Sequence, residues 1–172
     1  MKLNQDSANL FQAYNQFIAS FKTVVIASTS ATHQAEASYA PFIELNGNYF
    51  IFISELAQHT QNLLQTKNCS LLFIEEEDKA NNLFARKRVS LQCSAEHLQK
   101  DSTDYQAALT LFHKRFGKFM QLLQTLPDFH LFCLKPQSGN YIAGFGQAYA
   151  LSGSDLSQLQ HRHPEAGNVR PS

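Results

Sequence analysis

The chain has no tryptophan, no excess of either charge, no CxxC pair and no apolar run of membrane-spanning length. Each absence narrows what it can be. Lysine plus arginine number 14 against 14 for aspartate plus glutamate, a formal net charge of zero. A balanced chain exerts no long-range pull on nucleic acid or on an anionic membrane, so neither is the expected partner; little repulsion separates its own copies, so self-association is expected. A spanning helix needs about 20 consecutive apolar residues, and none is present, so no membrane insertion is expected. The opening Met1-Lys2-Leu3-Asn4-Gln5-Asp6 lacks the apolar core of a secretory leader. Cys69, Cys93 and Cys133 each lie in or beside an apolar run, without metal or redox spacing, and read as reduced, buried thiols. Together these features make the cytoplasm the expected compartment. P-loop, dinucleotide, hydrolase-elbow and zinc-finger patterns are also missing.

What is present is aromatic. The 172 residues include 14 phenylalanines and 6 tyrosines, enough for one packed core plus a flat apolar pocket or subunit interface. Leu10, Phe11, Tyr14, Phe17, Ile18 and Phe21 follow helical spacing, predicting an amphipathic helix over 7–21. The period then shortens. Residues 23–29 are β-branched and read as a strand. Residues 38–45 and 49–53 flank Asn46-Gly47-Asn48 and read as a hairpin, with Pro41 at an edge or bulge. A short helix over 59–65, strands over 70–74 and 86–96, and a helix over 102–124 follow, the last interrupted at Gly117 and ended by Pro127. A second hairpin is predicted from 129–134 to 141–145 across Ser138-Gly139-Asn140, and Gly144-Phe145-Gly146 reads as a bulged or closely packed strand. The order implies an α+β fold with a β-barrel core and flanking helices. Residues 1–153 form the expected domain. Residues 154–172, polar and without period, form an expected flexible tail.

Four segments carry residues suited to chemistry. Arg86, Lys87 and Arg88 open a strand; alternation puts Arg86 and Arg88 on one face, a pair suited to phosphate or carboxylate or, more blandly, a solvated edge guard. His59 sits near a helix N-terminus after a strand end, where a capping or surface role competes with anion binding. Asp128 precedes a strand and either makes a turn or orients an imidazole. His161 and His163 occupy the polar tail, idle or reaching into a pocket. The acidic run Glu75–Asp78 reads as a solvated strand end.

Three phrases occur in order: I-S-E-L-A-x-H-T-x-N-L over 53–63, L-F-A-R-K-R over 83–88 and A-G-F-G-x-A-Y over 143–149. With Ser38–Phe42 and Leu126–Phe132, they resemble the bacterial haem-utilisation family of the HugZ/HutZ type, from about residue 10 to about 150. The resemblance implies an FMN-binding-type split β-barrel, built as a homodimer with haem bound at the subunit interface. It implies oxidative haem degradation with O2 to a biliverdin-type product and release of iron. An external reductant, or a haem-donating protein, is then an expected partner, since the chain carries no nicotinamide motif. His163 is the implied axial ligand of the haem iron, with His161 as the alternate. Asp128 would accept a hydrogen bond from that imidazole. Arg88, or secondarily Arg86, would lie beside the haem, His59 near it at the interface, and Thr23 would pair with the aspartate across the dimer. The alternatives within the same barrel are a non-catalytic haem storage or trafficking protein and an FMN-dependent oxidoreductase.

Overall fold

Asn46 and Gly47 take left-handed φ values of 54° and 77°, as a two-residue hairpin turn requires, and they join the two strands that start the barrel wall. The computed structural model describes residues 2–153 and 155–162, with side chains from Ser7 onward. Helix α1 (Lys2–Ala19) leads into β1 (Thr23–Thr29), β2 (Ala35–Leu45) and β3 (Asn48–Ser54). Helix α2 (Gln58–Thr66) then precedes β4 (Asn68–Ile74) and, after two 3-10 turns, β5 (Arg88–His97). Helices α3 (Thr103–Phe116) and α4 (Phe119–Thr125) are followed by β6 (Phe129–Gly144), β7 (Gln147–Ser152) and β8 (Gln158–His161). Gly117, at φ 69°, breaks the predicted long helix in two and donates its N–H to the His113 carbonyl.

The strands run β3-β2-β1-β4-β5-β6, and β3 pairs with β6 to close a six-stranded antiparallel barrel; β7 and β8 extend the sheet beyond β6. The α+β barrel expected from the sequence is the observed fold. Alternation explains its inside. Val24, Ile26, Leu71, Phe73, Val89, Leu91 and Tyr141 all point inward, with Tyr14 and Ile18 of α1 completing that core. β3 is buried on both faces, because Phe50 and Phe52 turn outward under Leu109 and Phe112 of α3. This double burial is why residues 49–53 read as an unbroken apolar run. Fully burying a side chain such as Phe112 contributes roughly 1.5–3 kcal/mol.

Two predictions about the last strands are corrected. Ser138-Gly139-Asn140 is no turn: β6 runs through it without interruption, Gly139 pairing with Leu91 on one side and Leu151 on the other. A register shift near Pro136 absorbs the proline, which has no N–H for the ladder. The real hairpin turn is Phe145-Gly146, with Gly146 at φ 70°. The polar segment past Gly153 also carries a strand, since β8 pairs with β7 from Ser152↔Gln158 to Tyr149↔His161. A strand edge needs only backbone partners, so no apolar period announces it. Leu156 anchors the segment, buried despite a left-handed φ of 54°. Among the described residues no helix is long and apolar enough to cross a membrane, and all three cysteines are free and buried.

A Cβ on Gly139 would lie 2.6 Å from the Ser90 carbonyl oxygen and 2.7 Å from Leu91 Cδ2, so strand crossing here requires glycine. Gly139→Ala is expected to destabilise the fold by about 2–3 kcal/mol, the usual overpacking cost at its upper end. Gly146→Ala meets open space and pays only for its backbone, about 1–2 kcal/mol. Urea unfolding of both variants measures the two costs.

Candidate functional site

Asp128 sits in the turn that enters β6, half-buried. The β3–β6 register sets Ser54 opposite Phe129, and the ladder extends one step further through Glu55 N–H to the Asp128 carbonyl at 2.9 Å. Ser54 Oγ accepts the Leu56 N–H at 3.1 Å and donates its own proton to Asp128 Oδ2 at 2.5 Å. Thr60 Oγ1 donates to the Ser54 carbonyl at 2.6 Å, tying α2 to the same strand end. The carboxylate is therefore held by a hydroxyl from the far side of the barrel closure, 74 residues away in sequence.

His59 lies on α2 and is buried. Its Nδ1 bonds Ser38 Oγ at 2.8 Å, while its Nε2 is buried without a partner among the described residues. Burial pushes this imidazole below the ordinary value of 6.5, against a smaller opposing pull from Glu36. An orphaned buried nitrogen costs about 1–3 kcal/mol unless something outside the chain reaches it.

Arg88 opens β5 on the outer face of the barrel, opposite Ile74 on one side and Ile142 on the other, and donates from NH1 to the Arg86 carbonyl at 3.0 Å. Arg86 does not share that face. The strand starts one residue pair later than expected, and Arg86 caps a 3-10 turn from which its guanidinium folds back. It donates to the Glu75 carbonyl from Nε at 2.9 Å and from NH2, and from NH1 to Glu77 at 3.2 Å. The expected guanidinium pair is thus one clamp on the acidic segment and one cation on the outer wall, because the local turn consumes the donors of Arg86. Lys87 lies over the Phe17 ring. Thr23, the first residue of β1, is exposed on the outer face.

His161 ends β8. Its Nε2 donates to the Gly146 carbonyl at 3.0 Å and its ring meets Tyr149 edge-on. Arg162 follows, its N–H on the Ala148 carbonyl and its NH1 on Asn140 Oδ1 at 3.0 Å. His163 lies outside the described residues. The register places His161 beside the Arg88 end of the wall, through Tyr149 and Tyr141 to Val89. Asp128 and His59 lie at the other end, with the ten residues of β5 between. One chain does not bring Arg88 and Asp128 together. A cavity of about 660 Å³ between α1 and the β2–β3 turn is lined by Tyr14, Tyr49, Glu44 and Arg115 and by none of the predicted site residues. Among the described residues no group of three or more His, Cys, Asp or Glu side chains is placed to hold a metal ion.

A family model described as pyridoxamine 5'-phosphate oxidase matches residues 10–143. The chain belongs to the pyridoxamine 5'-phosphate oxidase family. It is 39% identical over 140 residues to the heme oxygenase HutZ of Vibrio cholerae, covering 81% of this chain and 80% of that protein. The crystal structure of HutZ, the heme storage protein from Vibrio cholerae, aligns with a TM-score of 0.70 at 34% identity, covering 73% of this chain and 89% of that one. Campylobacter jejuni ChuZ aligns with a TM-score of 0.80 at 28% identity, covering 90% and 63%.

For this member of the pyridoxamine 5'-phosphate oxidase family, local spacing missed Ser54 as the partner of Asp128 and Ser38 as the partner of His59. Both contacts join segments distant in sequence, and only the strand register carries their signal. His59 also predicts a pH effect. Its folded-state value is depressed, so the unfolded chain binds the proton first, and folding stability falls as pH drops below about 6.5. In His59→Gln this component of acid sensitivity is expected to shrink, as read from unfolding free energies measured between pH 7.5 and pH 5, taken as roughly the imidazole range.

Proposed function

We propose that the protein binds haem between two copies of itself and degrades it with O2 and an external reductant to a biliverdin-type product, releasing iron for use. The observation that carries this reading is the 39% identity, along 81% of the chain, to a protein named heme oxygenase. The geometry supports where the haem would sit. Val25 and Tyr39 face each other on the outer wall at 38% and 68% exposure, next to half-buried Leu72, with Ile74, Arg88 and Ile142 in the adjoining row. An outer face this apolar suits a second copy. A two-fold axis across it reverses the second barrel, so that the Arg88 end of one copy faces the Asp128 and His59 end of the other. Thr23 lies on that same face, in position to meet the aspartate of the other copy. Such an arrangement would also offer the orphaned His59 Nε2 a partner.

Haem is the substrate in this reading and supplies its own iron for oxygen chemistry. The chain supplies the surroundings. His163 ligates the iron, with His161 the alternate; Asp128 accepts the other N–H of that imidazole and fixes its orientation and basicity. Arg88 would offer the planar, delocalised fork of its guanidinium to a propionate or to developing negative charge near the iron. Arg86, committed to Glu75 and Glu77, acts through the segment it clamps. The cytoplasm is the proposed compartment. Haem storage without turnover is the second reading, favoured by the name heme storage protein given to the HutZ structure.

Haemin added to the purified protein should give a Soret band and an assembly of twice the chain mass in light scattering. With reductant and air, the band should decay with iron release, even in the presence of catalase. A stable band would instead favour storage, and a yellow protein with a flavin spectrum would favour FMN and overturn both. His163→Ala should weaken haem binding by roughly ten- to a hundredfold, as loss of a metal-site group does, while His161→Ala has the smaller effect. Asp128→Asn should shift the spectrum and slow decay without unfolding the protein.

A further inference from the structure

The segment after β3 meets the start of β6 through a hydrogen-bonded chain that no motif announced. Glu55 Oε1 accepts from His130 Nε2 at 2.6 Å, and His130 Nδ1 lies 3.0 Å from His97 Nε2 at the end of β5. The His97 and His130 rings meet edge-on with centroids 4.8 Å apart, and His97 also leans on Phe132. His130 is two residues beyond Asp128, and Glu55 is the residue after Ser54. Three bonds thus join the same two short segments: Ser54 to the Asp128 carboxylate, Glu55 N–H to the Asp128 carbonyl, and the Glu55 carboxylate to His130.

We propose that Glu55, His130 and His97 are positioning residues for Asp128, a clasp that locks the β3–β6 junction and holds the Asp128 carboxylate in one orientation. The proposal rests on the reading of Asp128 as partner of the iron-ligating imidazole, and names what keeps that partner in place.

The protons are constrained. A carboxylate at Glu55 demands a proton on His130 Nε2. With His130 neutral, its Nδ1 is an acceptor, and His97 must carry its proton on Nε2. When His130 gains a second proton, Nδ1 becomes a donor, and His97 must move its own proton to Nδ1. Partial burial, and then the neighbouring His130 ring, push His97 below the ordinary imidazole value. With a second proton on His130 the Glu55–His130 contact is an ion pair. Asp128 lies two residues before His130, and Lys100, Asp101 and Tyr105 line the cleft of about 380 Å³ that His97 and His130 share. Burial raises the Tyr105 phenol, so it stays neutral throughout.

The test uses the haem-free full chain and the haem complex in parallel. Nitrogen and carbon NMR of the apoprotein should show His97 exchanging tautomers over one pH step and the Asp128 carboxyl carbon shifting at the same midpoint. That Asp128 step should vanish in His130→Phe, which keeps a ring in place, and in Glu55→Gln, which keeps an acceptor but loses the charge. Lys135→Ala, which breaks the exposed Lys135–Glu96 pair on the same two strands, should leave it unchanged. In the haem complex His130→Phe should shift the iron–imidazole stretching band and weaken haem binding roughly tenfold. An Asp128 step absent from the wild type, or persisting in both variants, overturns the clasp whether or not haem binds. A wild-type protein that shows the coupled steps but gives no Soret band overturns the haem reading and leaves the clasp standing.

Discussion

Closure of the barrel by β3 against β6 is the constraint on which everything else depends. Six backbone registers, from Tyr49↔Leu134 to Ser54↔Phe129, turn an open sheet into a cylinder and give β3 two buried faces. The interior then holds Ile51 and Phe132, and the exterior seats α3 on Phe50 and Phe52. The last of these pairs sets Ser54 beside Asp128. Without closure the serine and the aspartate would have no reason to meet, since 74 residues separate them. The stability of the core and the orientation of the carboxylate are therefore two results of one set of hydrogen bonds.

The barrel also divides its polar side chains. At the end covered by α2 lie Asp128, His59 and the His97–His130 pair. At the other lie Arg88 and His161. Charged and imidazole groups at opposite ends of a rigid wall cannot act on one ligand within a single chain, because the wall does not bend to join them. Arg88 with His161 and Asp128 with His59 therefore stand as two separate groups within one chain, and the outer wall exposes Val25 and Tyr39. The Nε2 of His59 is buried without a partner among the described residues, a desolvation cost of about 1–3 kcal/mol.

Legibility followed the range of the interactions. Every helix and most strands were readable, since the period of apolar residues is local: the α1 stripe, the alternation along β1 and β5, the Asn46-Gly47 turn. The failures share a cause. Ser138-Gly139-Asn140 has turn-like composition, yet Gly139 is present because β6 passes too close to Ser90 and Leu91 for a side chain. β8 has no apolar alternation, because the edge of β7 specifies it through backbone groups alone. Arg86 appeared to share a strand face with Arg88 until the turn before β5 drew its guanidinium onto Glu75 and Glu77. Of the candidate site, Asp128, Arg88 and His59 were singled out from their segments, while Ser54 beside Asp128 and Ser38 beside His59 were not.

By itself, then, the order of residues determined the elements, the α+β barrel class and the phrases that resemble the HugZ/HutZ-type haem-utilisation family. These depend on periodicity and on short contiguous strings, which act within a few residues. Only the tertiary structure decided which groups touch. It joined Glu55 to His130 and His97, gave Asp128 its serine, spent Arg86 on a turn, and set Arg88 and Asp128 a barrel's length apart. Those outcomes depend on strand register and on closure, and a register is a relation between segments that no single segment contains.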